Sequence, residues 1–162
     1  VSTTIRISGT NSIVANWTCT DKESSIYGSR YAVGTTPGGN DVVDWTYTDC
    51  ETREAILTEL PPDTELFFSL ACQNTFGFWS STQSIRFRCI SSIGSALSAP
   101  DGTKVAVEGL VSAVFSDSYY IQTADRTRGI KVIGTQIGSE GDEISVTGTL
   151  ATIEGERAIV SD

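Results

Sequence analysis

The 162-residue sequence contains no histidine, and this absence limits the chemistry that the chain can perform. Without histidine, the sequence cannot build a Ser-His-Asp or Cys-His nucleophile pair, or a His-ligated zinc or iron site. The sequence also shows no thiolate site and no paired-acid motif, so we expect no enzyme activity and no cofactor. Methionine is also absent, so we expect a processed mature product or a piece of a longer protein.

One candidate binding group combines an exposed tyrosine with basic residues in the second half of the chain. Alternation places Tyr120 and Gln122 on the outside of one strand and Lys131 on the outside of the next. Arg126 and Arg128 lie between these strands. An aromatic ring beside cations can stack on a sugar or a base and hold a carboxylate or a phosphate.

The plainer alternative is that Arg126 and Arg128 decorate a hairpin turn and pair with Asp125 or Asp117. The chain has 20 acidic and 11 basic residues, a formal charge of −9. Such a surface repels phosphate backbones and anionic membranes. Nucleic acid is therefore a poorer candidate ligand than a glycan.

Three aromatic residues, Phe76, Phe78 and Trp79, lie in one predicted hairpin loop. Exposed aromatic side chains mark interfaces, so these residues form a candidate adhesive patch for a protein partner or a second copy of the chain. The alternative is that the three rings fold back and cap the edge of a sheet.

The four cysteines, Cys19, Cys50, Cys72 and Cys89, all precede residue 90, and no CxxC motif occurs. We interpret them as disulfide cysteines of an exported protein, with buried reduced thiols as the alternative. Cys19 and Cys72 end strands on inward-facing positions near the same end of the predicted fold, which favours a bridge between them. Cys19–Cys50 is the competing pair. Cys89 has no evident partner, which leaves an intermolecular bridge as an alternative.

Acidic residues cluster in the loops of the first half, where calcium would need several oxygen ligands at once. No calcium-loop spacing is present, so we expect a solvated acidic rim and no metal site. The residues concerned are Asp21, Glu23, Asp41, Asp44, Asp49 and Glu51.

Short alternating segments separated by Gly, Pro, Asn and Asp must position these side chains. About seven such segments fall within the first 90 residues, which is typical of a β-sandwich. No apolar run approaches the ~20 residues needed to span a bilayer. We therefore expect an all-β protein with no membrane span in this chain.

The first half resembles a fibronectin type III domain over residues 4–89. The resemblance rests on the strand residue Trp17, on residues 60–66 (LPPDTEL) and on residues 72–80 (CQNTFGFWS). Residues 31–39 (YAVGTTPGG) are similar to a version frequent in exported bacterial proteins. Leu66 replaces the family's corner tyrosine, whose hydroxyl would bond to the backbone. Cys72 replaces a small alanine.

Residues 91–102 change to small residues with few charges and a proline, which predicts a linker or lead-in. After it, five alternating segments occupy about 60 residues, the arithmetic of an OB-fold barrel. Gly109 and Gly148 lie inside two of these segments, where a barrel strand bends. The runs 101–109, 119–122, 128–132 and 141–149 resemble exported bacterial OB-fold modules.

We therefore predict a fibronectin type III-like sandwich at 1–90, a linker at 91–102 and a five-stranded OB-fold barrel at 103–162. The resemblances imply a non-catalytic structural or adhesive module of an exported bacterial cell-surface protein. One alternative is a subunit of an extracellular filament or surface layer that assembles through β-edges, with the last strand donated. The other is an OB-fold accessory domain that binds carbohydrate or nucleic acid.

Overall fold

The computed structural model describes residues 1–135 and 138–161 and confirms the all-β prediction. The strands alternate in side-chain direction with period two, as the sequence predicts. In chain order the elements are β1 (Ser2–Gly9), β2 (Ser12–Thr18), β3 (Ile26–Gly34), β4 (Val43–Asp49), β5 (Glu54–Leu57), β6 (Glu65–Asn74), β7 (Gln83–Arg88), α1 (Ile93–Ser98), β8 (Lys104–Val114), β9 (Ser118–Gln122), β10 (Gly129–Ile133), β11 (Glu143–Ile153) and β12 (Glu156–Ser161).

The chain divides into two compact units. The first unit comprises Val1–Arg6, Ile13–Leu60 and Thr64–Arg88. The second comprises Ile7–Ser12, Pro61–Asp63 and the chain from Cys89 onward. Strands β1 to β7 form two sheets, and strands β8 to β12 form a closed barrel.

The first unit contains a three-stranded sheet of order β1-β2-β5 and a four-stranded sheet of order β4-β3-β6-β7. Its core is built on Trp17 of β2, which is 2% exposed. The Trp17 ring lies 5.8 Å from the Tyr31 ring and 6.2 Å from the Phe68 ring, measured between centroids. The indole N–H donates to the Ser29 hydroxyl at 3.1 Å, so the buried donor is satisfied.

The second unit is a five-stranded barrel of order β10-β12-β11-β8-β9, compatible with an OB-fold. Strand β12 pairs parallel to β10 and antiparallel to β11. Gly148 of β11 lies so close to the Val160 carbonyl that a side chain there would collide with it. A Cβ added at Gly109 of β8 would make a tight contact, 3.1 Å from both the Gln122 carbonyl oxygen and the Ile93 side chain. Both glycines permit close backbone approach within long barrel strands.

The predicted linker at residues 91–102 contains helix α1, which no pattern in the sequence predicts. The Ser92 hydroxyl caps its start by accepting a hydrogen bond from the Ser95 backbone N–H at 3.1 Å. Ile93 and Ala96 are buried in the core cluster of the barrel strands. Six residues are too few to show a helical period, which is why the pattern predicts none. No helical segment of the described chain is long and apolar enough to cross a membrane.

Candidate functional site

The barrel brings Tyr120 and Lys131 together, as the strand alternation predicts. They are direct partners in the register between β9 and β10. Their neighbours Tyr119 and Ile130 point the other way and are 1% and 2% exposed. The outer face at this point therefore carries an aromatic ring beside an ammonium group.

The polar atoms of this barrel face are already partnered by Glu156. The Tyr120 hydroxyl donates to Glu156 Oε1 at 2.7 Å, and Lys131 Nζ lies 3.7 Å from Glu156 Oε2. The hydrogen bond to the carboxylate raises the pKa of Tyr120. Phe115, which is 57% exposed, packs edge-on against Tyr120 with ring centroids 6.1 Å apart. A charged ligand would have to displace Glu156 from both partners.

The other predicted members of this group do not converge on Tyr120. Gln122 lies opposite Gly129 in the register and is half-buried. Arg126 occupies the exposed β9–β10 turn at φ +59°. A side chain added at Gly94 of α1 would meet Arg128 at about 3.5 Å, so the Arg128 side chain lies over that helix.

The alternative ion pairs of the two turn arginines are not formed. Asp125 instead accepts hydrogen bonds from Thr123 and Thr127, which lower its pKa. Within residues 1–135 and 138–161, neither Arg126 nor Arg128 forms an ion pair with Asp125 or Asp117. The turn is held by a side-chain cap and not by opposite charges.

The predicted aromatic loop presents two phenylalanines to solvent. Phe76 and Phe78 are 72% and 71% exposed. The Asn74 side-chain oxygen accepts from the backbone N–H groups of Phe76 at 3.1 Å and Phe78 at 3.0 Å. Gly77 turns the chain at φ +87°, and its carbonyl accepts from the Gln73 amide at 3.0 Å. We call residues 76–78 the phenylalanine turn, a hydrogen-bonded turn that holds two apolar rings in water.

Trp79, unlike the two phenylalanines, packs against the protein. It forms a bridge with Gln73 and is half-buried. Its ring covers the guanidinium of Arg30 on β3, whose Cζ lies 4.5 Å from the ring centroid. The alternative in which the aromatic rings fold back therefore describes Trp79 but not Phe76 or Phe78.

A further aromatic cluster, which the sequence analysis does not identify as a site, surrounds Arg30. Its Cζ lies 4.7 Å from the centroid of Trp45 as well as 4.5 Å from that of Trp79. Tyr47 meets Trp79 edge-on with ring centroids 6.0 Å apart. Arg30 Nη1 lies 3.5 Å from the Tyr47 hydroxyl oxygen. We call these four side chains the Arg30 cluster.

The Arg30 cluster has a partial signal in the sequence. Trp45 and Tyr47 are two residues apart on one strand and so share a face. The register that places Arg30 opposite Tyr47 links β3 to β4, and no local pattern specifies it. Trp79 joins from a loop distant in sequence.

The disulfide between Cys19 and Cys72 confirms the favoured pairing, with Cα atoms 6.1 Å apart. The competing pair Cys19–Cys50 is excluded, because Cys50 is a half-buried free thiol. Cys89 is fully buried, and desolvation raises the pKa of its thiol to about 11. Neither Cys50 nor Cys89 forms a disulfide within the described chain.

The carboxylates of the acidic loop residues accept hydrogen bonds from nearby residues of the same turns or loops. The Asp41 carboxylate accepts from the Thr35 backbone N–H at 2.9 Å and from its hydroxyl at 2.8 Å, which lowers the pKa of Asp41. Asp49 accepts from the Thr52 hydroxyl and backbone N–H in the same way, and its pKa is also lowered. The described residues contain no group of three or more Cys, Asp and Glu placed to hold a metal ion.

Comparison with known protein families and curated proteins identifies no family for this chain. No protein-family model matches the chain, and no curated protein matches it significantly. The functional interpretation therefore rests on the two aromatic surfaces of the first unit and on the partnered face of the barrel.

Proposed function

We propose that this chain is a non-catalytic adhesive module of an exported cell-surface protein. The observation that carries the proposal is the phenylalanine turn, in which Phe76 and Phe78 are more than two-thirds exposed. Burying a phenylalanine side chain contributes about 1.5–3 kcal/mol. The two exposed rings of this turn therefore provide an apolar anchor for a protein surface.

The rigidity of the turn supports a binding role over incidental exposure. The side-chain oxygen of Asn74 accepts hydrogen bonds from two backbone N–H groups of the turn. The backbone N–H of Asn74 donates to the Phe78 carbonyl at 3.0 Å. Its side-chain amide also donates to Asp21 at 3.2 Å. Because the backbone of the turn is held before contact, little backbone conformational entropy is lost on binding.

An exported location is supported by the disulfide between Cys19 and Cys72, since such bonds persist in oxidising compartments. The three-stranded and four-stranded sheets of the first unit agree with the sequence resemblance to fibronectin type III domains. The barrel order, with β12 parallel to β10, agrees with an OB-fold. Both resemblances described above are to modules of exported bacterial proteins.

The pKa shifts of three loop aspartates and of Cys89 give no support to acid or thiolate catalysis by these four residues. A general acid needs a carboxyl whose pKa is raised by an apolar pocket. Turn hydrogen bonds instead lower the pKa of Asp21, Asp41 and Asp44. Burial raises the pKa of Cys89, which suppresses the reactive thiolate.

The two alternatives have less support. Strand β12 is paired on both sides, so donating it to another copy would require opening the barrel. Assembly through edges is left to the outer strands of the first unit's sheets, β1, β5, β4 and β7. A ligand on the barrel face would compete with the Glu156 contacts to Tyr120 and Lys131.

Adhesion under flow tests the proposal. Microspheres coated with the chain are passed over surfaces that carry the same chain, a neutral polysaccharide or a zwitterionic lipid bilayer. We expect retention on the protein surface that falls at least tenfold for the double variant Phe76→Ser/Phe78→Ser. Ile56→Ser is the matched control, since Ile56 is an equally exposed apolar residue on β5. No retention on the protein surface, or equal loss with the control, would contradict the proposal.

A further inference from the structure

The positive charge of Arg30 is not neutralised by the protein. Within the described residues, no carboxylate lies within ion-pair distance of Arg30. The acidic residues that flank Trp45 and Tyr47 on β4 are engaged elsewhere. Asp44 accepts from the Asn40 amide at 2.6 Å and from the Trp45 backbone N–H, and Asp49 accepts from Thr52. An unpaired guanidinium is unexpected on a chain of net charge −9.

Two tryptophan rings lie against the guanidinium of Arg30. The group lies 4.7 Å from the Trp45 centroid and 4.5 Å from the Trp79 centroid. All five N–H donors of an arginine lie in its plane, so stacking does not use them. Nε is buried and has no hydrogen-bond acceptor, so a ligand cannot reach it. Nη1, at the terminal edge of the group, has only the Tyr47 hydroxyl at 3.5 Å. The directed donors of the two Nη groups along this edge match the two oxygens of a carboxylate.

We propose that the Arg30 cluster binds the carboxylate of an acidic sugar, a hexuronate residue in a largely neutral glycan. Arg30 binds the carboxylate, and the Tyr47 ring receives the apolar face of the same sugar. Tyr47 is 66% exposed, so its ring is open to solvent beside the guanidinium. A pyranose uronate joins a carboxylate to a flat C–H face at this short range.

Two other sources of negative charge suit the cluster less well. A nucleic acid brings many phosphates toward an acidic protein, so its binding is opposed by long-range repulsion. An acidic peptide brings a carboxylate on a flexible chain without a ring to stack on Tyr47. A single uronate in a neutral oligosaccharide brings one charge to the one unpaired arginine of the cluster.

The three tryptophans make the test specific. Indole N–H signals in ¹H–¹⁵N spectra are followed as a methylglucuronosyl xylotriose is added, with neutral xylotetraose as the matched probe. We expect the Trp45 and Trp79 signals to shift on adding the acidic sugar. Trp17 is the internal control, because its indole is buried and bonded to Ser29. Equal shifts with xylotetraose, or no shift of Trp45 and Trp79, would overturn the proposal.

Variants separate the cluster from general charge effects. Arg30→Lys keeps the charge but loses the planar fork, and we expect at least tenfold weaker binding. Tyr47→Ala removes an exposed ring, so it tests the site even if Arg30→Lys fails to fold. Arg6→Gln on β1 removes an exposed charge elsewhere and should leave the affinity unchanged.

Three results would overturn the assignment: unchanged affinity in Tyr47→Ala, equal weakening in Arg6→Gln, or equally tight binding of a triglutamate peptide. None of them depends on Phe76 or Phe78. Failure of this site and failure of the phenylalanine turn are therefore distinguishable.

Discussion

The guanidinium carbon of Arg30 lies 4.5 Å from the centroid of the Trp79 ring. This contact joins the loop after β6 to the central strand β3 of the four-stranded sheet. The centroid of the Trp45 ring lies 4.7 Å from the same guanidinium carbon. The first unit thus holds one side chain of its aromatic loop against the sheet and leaves Phe76 and Phe78 in solvent.

Removing the arginine should weaken the first unit. Each cation–π contact contributes about 0.5–1 kcal/mol at an exposed site and about 2 kcal/mol when desolvated. We expect Arg30→Ala to lower the free energy of unfolding by about 1–2 kcal/mol, measured by urea denaturation followed by tryptophan fluorescence. Arg6→Ala should change it by less than about 0.5 kcal/mol. Equal effects of the two variants would show that the stacking contributes nothing.

Removing the disulfide should cost more than any single contact in the first unit. The bridge between Cys19 and Cys72 spans 53 residues, and the chain-entropy model assigns such a loop about 4 kcal/mol. We expect Cys19→Ala/Cys72→Ala to lose about that amount of unfolding free energy. Cys50→Ser serves as the control, because Cys50 has no disulfide partner. A double variant as stable as Cys50→Ser would show that the Cys19–Cys72 disulfide does not stabilise the fold.

The two free thiols should differ in reactivity. Cys50 is half-buried, whereas Cys89 is fully buried with a thiol pKa of about 11. At pH 8 only about one Cys89 in a thousand is a thiolate, even before access is considered. Alkylation of the native chain without reductant, read by mass spectrometry, should label Cys50 rapidly and Cys89 only after unfolding. Rapid labelling of both cysteines would contradict the burial of Cys89.

Stability should fall on acidification because of the aspartate turns. The pKa values of Asp21, Asp41, Asp44 and Asp49 are lowered by hydrogen bonds in the folded chain. A lowered folded-state pKa stabilises the fold above the unfolded pKa of about 4, and this contribution is lost as the pH falls through the folded value. The unfolding midpoint in urea should therefore decrease below about pH 4. Asp41→Asn should make the urea midpoint less dependent on pH below about pH 4, because it removes one titrating group. An unchanged pH dependence would show that Asp41 does not contribute.

The sequence predicts those parts of the fold that depend on local alternation. Apolar residues at alternate positions, Leu66, Phe68 and Leu70, predict a strand from the sequence alone, and all three are buried on β6. Cys19 and Cys72 both occupy inward-facing positions in the alternating pattern, which favours the disulfide that forms. Alternation also predicts which residues of β9 and β10 face outward, including Tyr120 and Lys131.

What the sequence does not predict depends on contacts between distant segments. Glu156 reaches Tyr120 and Lys131 only because β12 inserts beside β10, and that neighbour relation has no local pattern. Helix α1 depends on burial of Ile93 and Ala96 against barrel strands. Arg30 acquires two tryptophan partners through a sheet register and a distant loop.

Retention of matched bead and surface pairs tests adhesion through the phenylalanine turn most directly. Microspheres and a surface that both carry the native chain are compared with a pair that both carry Phe76→Ser/Phe78→Ser and with a pair that both carry Ile56→Ser. We predict retention of the native and Ile56→Ser pairs and at least tenfold less retention of the double-variant pair, because neither member of that pair presents the two exposed phenylalanines. Equal retention of the double-variant and native pairs would contradict adhesion through Phe76 and Phe78.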